Sequence, residues 1–185
     1  RPTAETVTIP MSQQIGAPEV DAVAKGEKVR VGQVIGTAAG FVSSNIHSLV
    51  SGSGSAVDMV PDGGGVRKQM VTIQVEGDDW EDTIDRSETL VQDCQLSPEE
   101  IIKKISEGGV VGMGGATFPT QVKLSVPPGK KAEFLIINGV ECEPYLTSDH
   151  RLMLERGEEL LVGARIIARA LQVTKIHIGI AKNKP

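Results

Sequence analysis

Cysteine is scarce: Cys94 and Cys142 are the two in the chain, 48 residues apart and with no CxxC pair. That spacing excludes a zinc ribbon and a thioredoxin-type redox motif. A cubane iron-sulfur cluster wants about four thiolates, so this chain cannot hold one alone. Aromatic residues amount to 3%, too few for a row of base-stacking platforms. Basic residues are outnumbered, 19 Lys and Arg against 24 Asp and Glu for a net charge of -5, which argues against nucleic acid as a partner. The longest apolar run, near Ile176 to Ala181, is far shorter than the roughly 18 residues a membrane-spanning helix needs. The opening RPTAETVTIP has no apolar stretch followed by a small-residue cleavage site, so export is not indicated and the cytoplasm is the expected location.

What remains is ordinary for a globular chain: 185 residues, 39% hydrophobic and 23% charged, enough for one medium domain or two small ones. Residues 5 to 77 are rich in Gly, Val and Ser. Their short β-branched runs (TVTIP, DAVAKGEKVRVGQVIG, NIHSLVSGSGSAVDMV, QMVTIQVEG) are separated by turn residues, and they predict short strands in a small β-barrel or sandwich. Residues 78 to 96 hold seven carboxylates and no Gly or Pro, which suits a polar linker able to take up partial helix.

Ser97-Pro98-Glu99-Glu100 supplies an N-cap, a proline in the first helical position and a capping-box glutamate, predicting a helix from Pro98 to about Glu107. Gly108-Gly109 stops it. After Pro127-Pro128-Gly129, the segment EFLIING predicts a strand buried on both faces of a parallel sheet. Residues 149 to 172 place Leu152, Leu154, Leu160, Leu161, Ala164, Ile167, Ala168 and Leu171 at three- and four-residue steps, predicting one long helix weakened at Gly157. KIHIGIA predicts a second buried strand, which completes a right-handed βαβ unit. The chain stops at that strand's carboxyl end, where open α/β sheets bind ligands, so half of such a fold lies outside it.

Two segments hold the candidate chemistry. GGVVGMGGATFPT, Gly108 to Thr120, has five glycines in thirteen positions and leaves backbone N–H groups free to approach an anion such as phosphate. It lacks the G-x-G-x-x-G spacing and follows a helix where a dinucleotide fingerprint follows a strand, so a plain turn between packed elements explains it equally well. Lys123, eight residues past Gly115, could set an ammonium over the same phosphate, or simply be solvated. Glu141-Cys142-Glu143-Pro144-Tyr145 follows a strand and could accept hydrogen bonds from a ribose or a carboxamide. Equally, it could be the charge cluster of a helix N-terminus.

Taken together, GGVVGMGGATFPTQVKL and LIINGVECEPYLTSDHRLMLE resemble the RnfC family, the C subunits of the Rnf electron transport complex, which is the ion-translocating ferredoxin:NAD oxidoreductase of bacteria. More distantly they resemble the flavin-binding subunit of respiratory complex I, whose glycine loop is followed by a lysine and an Asn-x-x-Glu-x-Glu-Pro turn. IPMSQQIGAP and the GEKVRVGQVIG to HSLVSGSG stretch look like the barrel-sandwich domain that opens RnfC proteins. That domain is similar to lipoyl and biotinyl carriers, but the corresponding tip here, Ala38 to Phe41, has no lysine.

The resemblance implies an α+β, multidomain chain. Residues 1–78 would form a small all-β barrel-sandwich hybrid, 79–96 an acidic linker, and 97–185 the first half of a Rossmann-like domain for FMN and NADH. It implies that Gly112, Gly114 and Gly115 cradle the phosphate region of FMN, that Lys123 and Asn138 hydrogen-bond the flavin, and that Glu141 lies beside it. Glu143 would accept from the nicotinamide nucleotide and Phe118 would offer a stacking surface. No acid or base catalyst and no metal ligand is expected within the chain.

FMN and NAD(H) would be the cofactors of the full-length parent, with 4Fe-4S clusters held outside this chain. Other subunits of the complex would be its partners and ferredoxin an indirect one, at the cytoplasmic face of the bacterial inner membrane and without a membrane span. Departures from the complex I pattern are Met113 for an arginine, Thr117 for a glycine, Val140 for an acid and Leu124 for an aromatic. If Met113 and Thr117 blocked the cleft, the chain would be a docking part without flavin. A lipoyl or biotinyl carrier is excluded by the missing tip lysine.

Overall fold

Alternating short apolar runs and turns in the first 77 residues leave the backbone little choice but paired strands. The computed structural model, which describes residues 4–17, 19–113 and 115–183, shows them as β1 (Thr6–Pro10), β2 (Val20–Asp21), β3 (Lys28–Val29), β4 (Val34–Thr37), β5 (Ile46–His47), β6 (Gly52–Pro61) and β7 (Arg67–Val75). Contacts divide the chain into two compact units. One joins the residues up to Ser87 with Ile105–Val122; the other joins Glu88–Lys104 with the residues from Lys123 onward.

In the first unit, β1, β7, β6 and β3 form one antiparallel sheet in that order, and β2, β4 and β5 form another. The β6–β7 hairpin pairs Gly52 with Val75 through Pro61 with Arg67, with a bulge between Gly54 and Ala56. Asp62 closes its turn by accepting the N–H groups of Gly64 (2.9 Å) and Val66 (3.0 Å), an Asx-type turn. Ile9, Val29, Val71 and Ile73 from the larger sheet pack with Ile35 and Ile46 from the smaller one. Because the two sheets share one core, the unit is a sandwich, as the sequence led us to expect.

The acidic stretch after β7 takes up no helix. Val31 donates to the Asp79 carbonyl (2.8 Å) and accepts from Glu81 N–H (3.0 Å), and Arg86 stacks 4.5 Å over the Trp80 ring. Asp79 O and Glu81 N–H, committed to Val31, are not available for an i to i−4 ladder at the start of the segment.

α1 (Pro98–Glu107) starts and stops as its residues dictate. Glu100 N–H donates to Ser97 Oγ (3.2 Å) and Ser97 N–H to Glu100 Oε2 (2.8 Å), a reciprocal capping box. At its end Gly109 adopts φ +65°, Gly109 N–H reaches Ser106 O (3.1 Å) and Val110 N–H reaches Ile105 O (3.1 Å), a Schellman closure.

α2 (Thr120–Leu124) follows, then β8 (Leu135–Gly139), α3 (Ser148–Glu155), α4 (Gly157–Ala170) and β9 (Ile176–Ile180). β8 and β9 pair in parallel, Leu135 opposite Ile176 through Gly139 opposite Ile180. Two expectations are corrected here. The single helix over 149 to 172 is broken at Arg156, whose φ −130°, ψ 32° is not helical, so α3 and α4 are separate. The strands are not buried on both faces: Ile136 is 60% exposed, and Ile178 and Ile180 are also exposed. A two-stranded sheet with two connecting helices has too little chain to cover a second face. No helix among the described residues is long and apolar enough to cross a membrane.

Candidate functional site

The glycine segment belongs to the first unit. It is pinched shut at its base, where Val111 bridges Pro119, Gly112 N–H donates to Phe118 O (2.9 Å) and Thr120 N–H donates to Val110 O (3.0 Å). Gly112 therefore sits at the neck of the loop. Gly115 is exposed, and a β-carbon there would meet nothing within 4 Å. Gly114 lies outside the described residues. Phe118 is half-buried, and Met113 is 86% exposed and so does not fill the loop. The backbone N–H groups of Met113, Gly115 and Ala116 make no hydrogen bond within the described residues. An open loop with free amide donors fits an anionic group such as the phosphate of FMN.

Thr117 is a feature the sequence did not disclose. Its φ is +52°, the left-handed region that a β-branched residue rarely enters. The glycine expected at this position from the complex I pattern is the residue that enters that region at no steric cost. That departure was the available signal. Thr117 Oγ1 lies within donating distance of both Gln13 O (2.8 Å) and Ala116 O (2.7 Å).

The acidic turn lies in the second unit, just past the carboxyl ends of β8 and β9. Asn138 is exposed, and its Oδ1 accepts Val140 N–H at 3.0 Å, so it turns the chain out of the strand. Glu141 accepts the backbone N–H of His150 (3.0 Å) and the hydroxyl of Ser148 (3.5 Å). For Glu141, then, the helix-start role is realised: its carboxylate satisfies a donor in the first turn of α3, where the helix dipole also favours negative charge.

Glu143 is exposed and its carboxylate has no partner among the described residues. Residues 141 to 146 line a cleft of about 330 Å³ together with Ala181 and Asn183, where parallel sheets bind ligands. Tyr145, fully exposed at φ +66°, is a strained aromatic at its rim that sequence reasoning passed over.

The structure thus gathers Asn138, Glu141 and Glu143 at one end of β8, and Gly112, Gly115 and Phe118 in the loop of the first unit. Lys123 is exposed in the last turn of α2 and belongs to the second unit. Among the described residues, no group of three or more His, Cys, Asp or Glu side chains is arranged to hold a metal ion.

Comparison with known proteins accounts for both units. Residues 1–79 match the RnfC barrel sandwich hybrid domain, and residues 105–185 match the Nuo51 FMN-binding domain. The C subunit of the proton-translocating ferredoxin:NAD(+) oxidoreductase complex of Clostridium ljungdahlii is 43% identical over all of this chain and 40% of its own length. Its counterpart in the Na(+)-translocating complex of Acetobacterium woodii is 42% identical over 97% of this chain and 40% of its own length. The C subunit of the ion-translocating oxidoreductase complex of Rhodobacter capsulatus is 41% identical over all of this chain and 35% of its own length. The chain spans about two fifths of the length of these relatives. Over nearly its whole length, the chain belongs to the RnfC family, the C subunits of the ion-translocating oxidoreductase complexes.

Proposed function

We propose that this chain is the part of a membrane-associated electron-transport subunit that begins the path between NAD(H), FMN and iron-sulfur clusters, at the cytoplasmic face of a bacterial inner membrane. The observation behind this reading is the glycine loop: closed at its neck, with the N–H groups of Met113, Gly115 and Ala116 making no hydrogen bond among the described residues. FMN, when bound, supplies hydride exchange with the nicotinamide and release of single electrons. The chain's own residues bind and orient.

On this reading the amides around Gly112, Gly114 and Gly115 hold the phosphate, Lys123 and Asn138 donate to the flavin, and Phe118 offers an apolar surface. Glu141 shapes the acidic turn beside the flavin, and Glu143 accepts from the nucleotide. Residues 97–185 then form the first half of a Rossmann-like FMN and NADH domain, 1–78 a barrel that serves docking and 79–96 the linker, and the 4Fe-4S clusters fall to the rest of the full-length protein. Relatives named for proton and for sodium translocation match this segment equally, 43% and 42%, which fits a segment that handles electrons rather than ions. The exposed Met113 tells against a loop blocked by its own side chains.

Flavin absorbance and an NADH titration on the full-length subunit test the proposal: it should carry flavin that NADH bleaches. The 185-residue chain alone should purify colourless, since a half-built pocket leaves the ligand in water. A full-length subunit that takes up no flavin would leave the docking role.

A further inference from the structure

The stretch that follows the lysine-free tip, residues 42–45, is held from both sides within the first unit, while Phe41 at the tip stays exposed. From one side, Ala17 N–H donates to Val42 O (3.1 Å) and Ser43 Oγ donates to Ala17 O (3.1 Å). From the other, Gln121 Nε2 donates to Ser43 O (2.8 Å) and Asn45 Nδ2 donates to Glu107 O (3.3 Å). The packing is close enough that a β-carbon on Gly109 would come within 2.3 Å of Asn45 O. Ser43 is fully buried and Gln121 nearly so.

The same barrel loops reach the glycine segment itself. Ile15 N–H donates to Ala116 O (3.2 Å), and Thr117 Oγ1 lies 2.8 Å from Gln13 O and 2.7 Å from Ala116 O, two acceptors that share its one hydrogen. These two ties fall beside Gly115 and Ala116, whose N–H groups make no hydrogen bond among the described residues. They act where the backbone is least comfortable, at the φ of +52° on Thr117. A β-branched residue persists in that conformation only where surrounding contacts over-determine it.

We propose that the barrel sandwich is the fixed seat of the glycine loop and that Thr117 is a positioning residue. Its hydroxyl, anchored on Gln13 O, holds the loop amides in the arrangement that receives the phosphate of FMN. The stretch just after the tip, rather than the tip itself, is on this view the rigid base of a cofactor loop. The inference rests on the flavin reading above.

The test uses the full-length subunit reconstituted with FMN and three variants: Thr117→Val, which keeps the shape and loses the donor; Thr117→Ser, which keeps the donor; and Thr117→Gly, which loses the donor but relieves the strain. FMN affinity, the visible circular dichroism of bound flavin and amide exchange over residues 112–118 are measured together. Thr117→Val and Thr117→Gly should each weaken FMN about tenfold and alter the flavin dichroism, while Thr117→Ser stays within about twofold of wild type. Exchange in the loop should rise in the Val and Gly variants, with the barrel strands unchanged. If Thr117→Val or Thr117→Gly binds FMN like a flavin-binding wild type, or if Thr117→Ser is as impaired as Thr117→Val, the positioning role is overturned and the flavin reading stands. A wild-type subunit that takes up no FMN overturns both.

Discussion

The Glu141 carboxylate accepts the backbone N–H of His150 at 3.0 Å, and so fastens the acidic turn after β8 to the first turn of α3. Thr147, in the N-cap position, makes no side-chain cap bond, so Glu141 does from nine residues upstream what a local cap normally does. Glu141→Ala should destabilise the second unit by about 1 kcal/mol, the usual cost of losing a cap acceptor, and raise amide exchange at residues 148–151. Glu141→Gln, which keeps an acceptor oxygen, should lose less than half as much. Equal melting curves for Glu141→Ala and wild type would show that the bond contributes nothing.

Glu143 has a different fate from its neighbour two residues away, because its carboxylate is left without a partner among the described residues. In the full-length subunit, Glu143→Gln should change NADH affinity by more than about tenfold, because a charge-assisted hydrogen bond is replaced by a neutral one. Flavin content should stay near normal. Loss of flavin with an unchanged NADH titration of the remaining holoprotein would move Glu143 from the nucleotide to the flavin.

Glu19 is 4% exposed, and both its carboxylate oxygens lack a hydrogen-bond partner among the described residues. Its side chain converges with those of Met11 and Ile46 over Gly36. A buried carboxylate without partners is a cost to the fold, so Glu19→Met should stabilise the first unit by about 1 to 3 kcal/mol. A urea midpoint that falls in this variant would mean that the carboxylate has a partner it needs.

His47 titrates below its ordinary value of 6.5, chiefly because burial disfavours the imidazolium, against the raising effect of a hydrogen bond to the Glu107 backbone. The folded state therefore binds fewer protons than the unfolded one just below 6.5. The corresponding stability is fully present above 6.5 and is lost as pH falls through that value toward the folded pKa. His47→Gln should flatten the loss of stability between about pH 7 and pH 5. An unchanged slope across that window would assign the acid sensitivity to other groups.

The sequence alone determined the features whose physics is local. Ser97 and Glu100 cap each other because they stand three residues apart, Gly109 closes α1 because glycine reaches φ +65° freely, and the carrier role falls away because no lysine stands at Ala38 to Phe41. The loop and turn motifs were legible for the same reason, as runs of residue types with a chemical meaning. Tertiary structure decided the rest. Periodicity over 149 to 172 says that a helix forms and Gly157 marks where it is weak, but neither says that the backbone leaves the helix at Arg156 beside it. EFLIING is apolar enough for burial on both faces, yet burial needs a second layer, and none is present to cover Ile136. That Glu141 bonds His150, nine residues on, and that Thr117 Oγ1 lies against Gln13 O, 104 residues back, were likewise decided by the tertiary structure. Which partner such a group meets depends on how the chain closes the loop between them, so residue identity marked Thr117 as a departure but not the bond it makes.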